Sequence, residues 1–242
     1  MWKSLHHVEQ IKVFLIMCIL SILFFSWTAE TVHRMLGPVK STKRIFFDQM
    51  KFKTGDLLLW SYKLNIKTDI GKLFCGSQYS HTSIVFMDAA GIPYAWETTQ
   101  KTGNRLVRLE AELIDPRYQC MVRPINRGVD SRLFETFVRT AYGGKYSTAY
   151  WQGLVYKWTP YLTPPVVNKE HMRASRFCSE LVAYTYERLG VMDFTAAGQF
   201  HALMMPGDFS VAGSVCTPLP VTNGYTFGQE IAIKYRFLPS IA

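Results

Sequence analysis

The chain has 242 residues, of which 48% are hydrophobic and 19% are charged, and its formal net charge is +9. This composition excludes an intrinsically disordered protein, because disorder requires low hydrophobicity and high charge. The basic residues are scattered and accompany no nucleic-acid-binding motif, so we expect no nucleic-acid partner. The length suits one well-buried domain with an appendage.

An apolar segment near the start of the chain predicts a membrane anchor. Between residues 13 and 27, only Cys18, Ser21 and Ser26 lack a large apolar side chain. A helix continued to residue 29 is about 25 Å long, slightly short of the roughly 30 Å hydrocarbon core of a bilayer. A cleaved signal peptide is the alternative, but Trp27 stands where cleavage needs a small residue. We therefore predict a transmembrane or signal-anchor helix and a single-pass membrane protein.

The sequence leaves open on which side of the membrane the folded domain lies. Basic residues after the anchor outnumber those before it, which favours a cytoplasmic domain under the positive-inside rule. A signal-anchor with an exported domain is the alternative, and it would allow a disulfide between two of Cys75, Cys120 and Cys216. The basic charge suits the anionic headgroups of a bilayer, although an ordinary solvated surface explains it equally well.

The spacing of the cysteines and histidines argues against a structural zinc site. The chain contains no CxxC pair and no Cys/His cluster at the spacing of a zinc site. We therefore expect neither a metal nor another cofactor.

The remainder of the chain divides into a connector and a folded domain. With the anchor and its flanks assigned to residues 1–36, the polar and basic residues 37–53 are typical of a connector. Residues 54–242 form the predicted domain, which opens with a turn and a short buried strand at 54–60. Apolar patterning predicts further strands at 81–87, 92–98, 105–109 and 119–123, with a glycine-containing turn at 88–91.

Two helices follow these strands. The first spans residues 131–142 and ends at Gly143-Gly144. Its apolar face consists of Leu133, Phe134, Phe137, Val138 and Ala141. The second spans residues 177–189, ends at Gly190 and turns Phe177, Leu181 and Val182 inward. Strands followed by helices predict an α+β fold with a small, mostly antiparallel sheet packed against helices.

A base, an acid and a thiol occur in three of these elements. If the turn between the second and third strands is centred near Ala89, paired positions sum to 178 and His81 lies opposite Glu97. Opposed side chains lie about 5 Å apart on one face, so the carboxylate could accept the imidazole N–H. A loop with an even number of residues would send the two side chains to opposite faces.

Cys178 lies at or within the first turn of the second helix. Unpaired backbone N–H groups and the helix dipole favour an anion there, and a neighbouring imidazole lowers a thiol pKa further. The same N–H groups could hold an oxyanion. The hypothesis is therefore a catalytic triad in which Cys178 is the nucleophile, His81 the base and Glu97 the residue that orients it.

Each of the three residues also has a purely structural interpretation. Thiols are among the most buried side chains, and an isolated histidine or glutamate in a strand is usually structural. His171 and His201 are alternative bases, but both lie in predicted loops without an orienting acid, and a surface location is the preferred interpretation for them.

Six short motifs in a fixed order carry a family resemblance. They are Gly55-Asp56-Leu57-Leu58-Leu59, Ser80-His81-Thr82-Ser83-Ile84-Val85, Glu97, Tyr142-Gly143-Gly144-Lys145-Tyr146, Phe177-Cys178-Ser179-Glu180-Leu181-Val182 and Pro206-Gly207-Asp208-Phe209. From about Phe52 to Gly213 the chain resembles the circularly permuted, NlpC-type papain-like hydrolases. Within these it is similar to the YiiX-like group related to lecithin:retinol acyltransferase, in which the histidine strand precedes the cysteine helix.

The resemblance implies roles for individual residues. It implies Cys178 as nucleophile, His81 as base, Glu97 as the polar third member, and Tyr146 as a tyrosine near the site. The family includes peptidoglycan peptidases, amidases and lipid acyltransferases. It therefore constrains the mechanism more than the substrate.

The substrate prediction depends on the irregular loop at residues 151–173, which is rich in Trp, Tyr and Pro. Trp151 and Trp158 in this loop are candidate substrate-binding residues together with Tyr146. With an anchor and a basic surface, they suit an amphipathic acyl lipid at a membrane. We predict a thiol-dependent acyl hydrolase or transferase acting first on a lipid ester or amide. The alternatives are a peptidoglycan or peptide amidase or endopeptidase, and a non-catalytic membrane-anchored module that binds a lipid or partner.

Overall fold

A seven-stranded sheet organises the computed structural model of this protein, which describes residues 43–62, 72, 77–147, 175–197, 204–211 and 219–236. The strands in chain order are β1 (Lys43–Phe46), β2 (Leu57–Tyr62), β3 (His81–Met87), β4 (Pro93–Thr99), β5 (Gly103–Arg108), β6 (Tyr118–Arg123), β7 (Lys145–Tyr146), β8 (Ser175–Arg176) and β9 (Ile231–Lys234). The α-helices are α1 (Leu109–Leu113), α2 (Ser131–Ala141) and α3 (Cys178–Arg188), and 3-10 helices span Phe47–Gln49 and Pro206–Phe209.

The sheet has the strand order β1-β9-β6-β2-β3-β4-β5. Neighbouring strands are antiparallel, except that β1 and β9 run parallel at one edge. The short strands β7 and β8 form a separate parallel pair. All described residues belong to one compact unit, and its mixed α+β architecture is the predicted class.

The two faces of the sheet bury different clusters, as the alternation along β2 illustrates. Leu57 and Leu59 pack on the face that α2 and α3 cover, whereas Leu58 and Trp60 pack on the face that α1 covers. All four side chains are at most 2% exposed, and fully burying one leucine contributes about 1.5–3 kcal/mol. Because both faces are covered, the first four residues of β2, Leu57 to Trp60, are apolar without interruption.

The central strands and both long helices agree with the sequence predictions, whereas the sheet is larger than predicted. The difference is β1 and β9, which are four residues each and pair with one another across almost the whole described chain. β1 also lies inside residues 37–53, so the prediction of a connector there is corrected for Lys43–Phe46. The predicted strand at 105–109 ends earlier, because Leu109 begins α1.

Helix α2 differs from its prediction in one side chain. The carboxylate of Asp130 caps the helix by accepting the backbone N–H groups of Arg132 and Leu133. Phe134 and Val138 are buried, but Leu133 is 49% exposed, so its assignment to the inward face was wrong. It lies to one side of the buried stripe, since Phe134 and Val138 are four residues apart and define the centre of that stripe.

The predicted anchor lies outside the described residues. Within the part of the chain that the structure describes, no helix is long and apolar enough to cross a membrane.

Candidate active site

Three elements bring a thiol, an imidazole and a carboxylate together. His81 is the first residue of β3, Glu97 lies in β4, and Cys178 is the first residue of α3. His81 Nε2 lies 2.8 Å from Glu97 Oε2, and the Cys178 thiol forms a hydrogen bond with the same imidazole. Because Nε2 faces the carboxylate, Nδ1 is the ring nitrogen left for the sulfur. The three residues singled out in the sequence therefore form one connected group.

The hairpin register differs from the prediction by two positions. Paired residues of β3 and β4 sum to 180, as for Ile84 opposite Trp96, so the turn is centred on Ala90, one residue later than predicted. His81 therefore does not directly face Glu97. A shift of two positions keeps both side chains on one face, and diagonal neighbours are within reach of long side chains. The predicted contact forms through this diagonal arrangement.

The start of α3 is suited to an anion. Its N-cap residue is Phe177, which makes no side-chain cap, so the N–H groups of the first turn are not occupied by a capping oxygen. The backbone N–H groups of Thr82 and Ser179 form hydrogen bonds with the sulfur of Cys178. The thiol, which is only 6% exposed, therefore faces an imidazole and two N–H donors.

These neighbours shift the protonation of all three groups. Burial raises the pKa of the Cys178 thiol, but the charge and hydrogen bond of His81, followed by the N–H groups, outweigh burial and lower it overall. Burial opposes the imidazolium form of His81, but Cys178 and then Glu97 outweigh it and raise the pKa well above its ordinary value. Burial raises the pKa of Glu97, whereas His81 and then the guanidinium of Arg105 lower it overall. The favoured state is a thiolate–imidazolium pair beside an ionised carboxylate.

The second oxygen of Glu97 is held by an arginine. Arg105 donates to Glu97 Oε1 from Nε at 2.8 Å and from Nη2 at 2.6 Å. The same Nη2 donates to Glu112 Oε1 on α1 at 3.0 Å. The hydrogen-bonded groups continue from Cys178 through His81, Glu97 and Arg105 to Glu112.

Sequence reasoning missed the roles of Arg105 and Glu112. Arg105 lies directly opposite Glu97 in the β4–β5 pair, and opposite charges that face each other across a hairpin attract. The signal in the sequence was Gly103, the first residue of β5, which has φ +68° where the chain leaves the turn after β4. Reading that turn as a second tight hairpin would have paired the two charges. Glu112 had no such signal, because the short helix α1 was not predicted.

The Gly143-Gly144 motif attaches the chain leaving α2 to β5. The Asn104 backbone N–H donates to Gly144 O at 2.8 Å, and the Gly143 N–H donates to Asn104 O at 2.9 Å. A Cβ atom added at Gly144 would lie 2.5 Å from Asn104 Nδ2, closer than packed atoms come. The glycines therefore permit the close approach that leads the chain into β7.

Tyr146, at the end of β7, lies beside the start of α3. It packs against Phe177, the residue before Cys178, and against Met205. The Met205 N–H donates to Asp208 Oδ2 at 2.8 Å, which fixes the turn of the Pro206-Gly207-Asp208-Phe209 motif. Tyr146 thus lies next to the residue that precedes Cys178. The other candidate substrate-binding residues, Trp151 and Trp158, and the alternative bases, His171 and His201, lie outside the described residues.

A cleft of about 330 Å³ opens on the Glu97 side of the imidazole. Trp60, Tyr62 and Tyr118 form an aromatic wall, with Tyr118 packed edge-on against both other rings. The other lining residues are polar and are Ser80, His81, Glu97, Thr99, Arg105 and Glu112. Aromatic and ionisable side chains therefore meet in one cleft beside the imidazole of His81.

Two further observations concern the thiol of Cys120 and the search for a metal-binding cluster among the described residues. Cys120 is a free buried thiol in β6; Cys75 and Cys216, its predicted alternative partners, lie outside the described ranges. Across those same ranges, no group of three or more His, Cys, Asp or Glu residues could hold a metal ion.

Comparison with known proteins gives similarities to solved structures. No protein-family model matches the chain, and no curated protein matches it. Among solved structures, the chain is similar to one from Escherichia coli O157:H7 described as metalloprotein YiiX, DUF1105. The two chains are 17% identical, and their match covers 60% of this chain and 71% of that chain with a TM-score of 0.44.

Proposed function

We propose that this protein is a papain-like thiol enzyme that transfers or hydrolyses acyl groups through a thioester on Cys178. The observation that carries the proposal is a single imidazole, that of His81, hydrogen-bonded both to a thiol and to a buried carboxylate. Nucleophile, base and orienting acid within hydrogen-bond reach are the arrangement of cysteine acyl-transfer enzymes.

In the first half of the reaction, the Cys178 thiolate attacks the carbonyl carbon of an ester or amide. The new C–S bond converts the carbonyl oxygen to an oxyanion, for which the uncapped N–H groups at the start of α3 are the available donors. The His81 imidazolium then gives its Nδ1 proton to the leaving oxygen or nitrogen as the acyl bond breaks. The products of this half are an acyl thioester, a neutral imidazole and a released alcohol or amine.

In the second half, neutral His81 removes a proton from water or another acceptor. The acceptor attacks the thioester carbon, the C–S bond breaks, and the Cys178 thiolate and His81 imidazolium return. Glu97 keeps its proton-accepting contact with Nε2 in both halves, which orients Nδ1 toward the reacting atoms and stabilises the imidazolium. Water as acceptor makes the enzyme a hydrolase, and an alcohol or amine makes it an acyltransferase.

We further propose a lipid ester or amide as the acyl donor, presented at a membrane surface. Three features support this choice: the apolar segment at residues 13–29, the net charge of +9, and the aromatic wall of the cleft beside His81. A single-pass anchor would hold the site at the bilayer, where basic side chains are attracted to anionic headgroups. Aromatic side chains suit an amphipathic substrate with one apolar and one polar end.

The test is covalent labelling of the full chain in detergent with two probes that share one thiol-reactive acyloxymethyl ketone. One probe carries a hexadecyl chain and the other a dipeptide, and mass spectrometry of the digested protein identifies the modified cysteine. We expect modification of Cys178 at pH 6, faster with the hexadecyl probe. The matched variants are Cys178→Ala, which should abolish labelling, and Cys120→Ala, which should leave it unchanged.

Each other outcome changes the proposal in a defined way. Faster labelling by the dipeptide probe would move the substrate class to peptide or peptidoglycan amides while keeping the mechanism. Labelling that persists in Cys178→Ala would remove Cys178 as the nucleophile. If neither probe modifies Cys178 and iodoacetamide at pH 6 alkylates it no faster than a free thiol, the protein is a non-catalytic binding module.

A further inference from the structure

Arg105 holds the one oxygen of Glu97 that His81 does not use. Both donors, Nε and Nη2, converge on Oε1 at 2.8 and 2.6 Å, while Oε2 faces His81 Nε2 at 2.8 Å. A carboxylate fixed at one oxygen by two hydrogen bonds cannot rotate freely, so the direction of the second oxygen is set as well. Through Glu97, Arg105 therefore determines where the acceptor of the imidazole N–H points.

The burial of Glu97 makes this contact important. Its side chain is 4% exposed, whereas that of Arg105 is 29% exposed at the cleft. Among the described residues, Arg105 is the sole hydrogen-bond donor to Oε1. Without it, a buried carboxylate oxygen would lose its charge-assisted partner, which favours a different side-chain orientation.

The guanidinium of Arg105 is shared between two carboxylates, those of Glu97 and Glu112. Arg105 Nη2 donates to Glu112 Oε1 at 3.0 Å as well as to Glu97, and Glu112 is 22% exposed on α1. The longer distance and greater exposure make Glu112 the weaker partner. Its negative charge nevertheless opposes part of the positive charge that Arg105 presents to the site.

We propose that Arg105 is a positioning residue of the active site, which orients Glu97 toward His81, and that Glu112 tunes it by sharing its guanidinium. This inference rests on the proposed function of Cys178 and His81. Arg105 and Glu112 would thus extend the active site beyond the nucleophile, base and acid, on the cleft side of the imidazole.

Removing the charge of Arg105 and removing that of Glu112 should shift the pH profile of Cys178 alkylation in opposite directions. Removing the positive charge of Arg105 destabilises the thiolate and stabilises the imidazolium, so the pKa values of both Cys178 and His81 rise. Removing the negative charge of Glu112 has the reverse effect. The imidazolium of His81 keeps the Glu97 carboxylate ionised in both variants.

The titratable groups that face this part of the site from other elements are His81 on β3, Cys178 on α3, Tyr62 on β2 and Tyr118 on β6. Burial and Glu112 raise the pKa of Tyr118, so that hydroxyl remains neutral across the assay.

The experiment compares the wild-type full chain with Arg105→Gln, Arg105→Lys and Glu112→Gln. One measurement is the rate of iodoacetamide alkylation of Cys178 from pH 4 to 9, followed by mass spectrometry of the Cys178 peptide. The other is the acylation rate and KM with p-nitrophenyl butyrate. Circular dichroism and thermal unfolding report whether each variant folds.

We expect the alkylation midpoint of Arg105→Gln to rise by about half a pH unit and that of Glu112→Gln to fall by a smaller amount. Arg105→Lys keeps the charge but loses the two-pronged geometry. Its midpoint should stay near the wild-type value, while its acylation rate falls about tenfold with an unchanged KM. A lower acylation rate with an unshifted alkylation midpoint in Arg105→Lys would show that the geometry of the guanidinium, and not only its charge, supports the reaction.

The outcomes distinguish this inference from the proposed function. If wild-type Cys178 shows no enhanced reactivity at pH 6, the proposed function fails and the inference fails with it. If wild type is reactive and Arg105→Lys acylates at the wild-type rate, the inference alone is overturned. Should Arg105→Gln not fold, Arg105→Lys and Glu112→Gln still decide: a Glu112→Gln midpoint at or above the wild-type value contradicts the tuning role.

Discussion

Cys178 and Cys120 are both buried thiols, yet their surroundings drive them to opposite protonation states. Cys120, on β6, is 1% exposed among apolar side chains on the face of the sheet that α1 covers, and burial alone raises its pKa well above the ordinary value. Cys178 is 6% exposed, but an imidazole and two backbone N–H groups outweigh burial and lower its pKa. The difference shows that burial does not make a thiol inert. The partners that accompany burial decide its chemistry.

The largest effect is expected from replacing His81, the cationic neighbour that Cys178 has and Cys120 lacks. In His81→Ala, Cys178 keeps its burial and loses its cation, so its pKa should rise toward or above that of a free thiol. Alkylation of Cys178 at pH 6 should then fall about 100-fold, because a thiol of ordinary pKa near 8.5 is less than about 1% ionised there. Rates measured on the separated cysteine peptides check this, with Cys120 as the internal control. Unchanged Cys178 reactivity would mean that the helix start, and not His81, activates the thiol.

A smaller effect is expected from neutralising the acid behind the imidazole. Glu97→Gln keeps an oxygen that can accept the His81 N–H but removes the negative charge that helps to raise the pKa of His81. We expect an acylation rate about tenfold lower. The raised pKa of His81 means that imidazolium is present below it and lost as pH rises through it, so the alkaline limb should move to lower pH in this variant.

The pH–rate profile with p-nitrophenyl butyrate measures that limb. A wild-type rate together with an unshifted alkaline limb would contradict the role given to Glu97.

The smallest effect is expected at the comparison thiol itself. Cys120→Ala removes a buried sulfur from an apolar cluster and should lower the free energy of unfolding by about 1 kcal/mol, as measured by urea denaturation. The alkylation profile of Cys178 should not change, since Cys120 has no part in that site. In the native wild-type protein, Cys120 should stay unmodified from pH 6 to 9 and react once the chain is denatured. Rapid native modification of Cys120 would contradict its assigned burial.

The sequence predicts the parts of this fold whose patterns are local. β3 has the predicted bounds, because its apolar run ends at the Asp88 turn, and α3 begins one residue after Phe177. The contact between His81 and Glu97 was predicted because an odd-numbered loop keeps both side chains on one face, even though the register was misjudged by two positions. Periodicity and turn parity are local properties, and both can be taken from the chain itself.

The parts of the structure that the sequence did not predict depend on residues that lie elsewhere in the chain. Lys43–Phe46 has two basic residues in four, and it becomes a strand only because Ile231–Lys234 provides a partner. Arg105 could be placed in a strand, but its contact with Glu97 required the second hairpin register. The link to Glu112 required a short helix of five residues, which has little sequence signal. Tertiary pairing thus determined what propensity could not.

The strand order at one edge of the sheet has a consequence for biosynthesis. β1 pairs only with β9, so the first described strand finds its neighbour after nearly all the other elements have left the ribosome. His81, Glu97 and Cys178 all precede β9 in the chain, and β2 to β6 with the three helices could associate around them first. The arrangement of thiol, imidazole and carboxylate could then form during synthesis, before β9 pairs with β1 and completes that edge of the sheet.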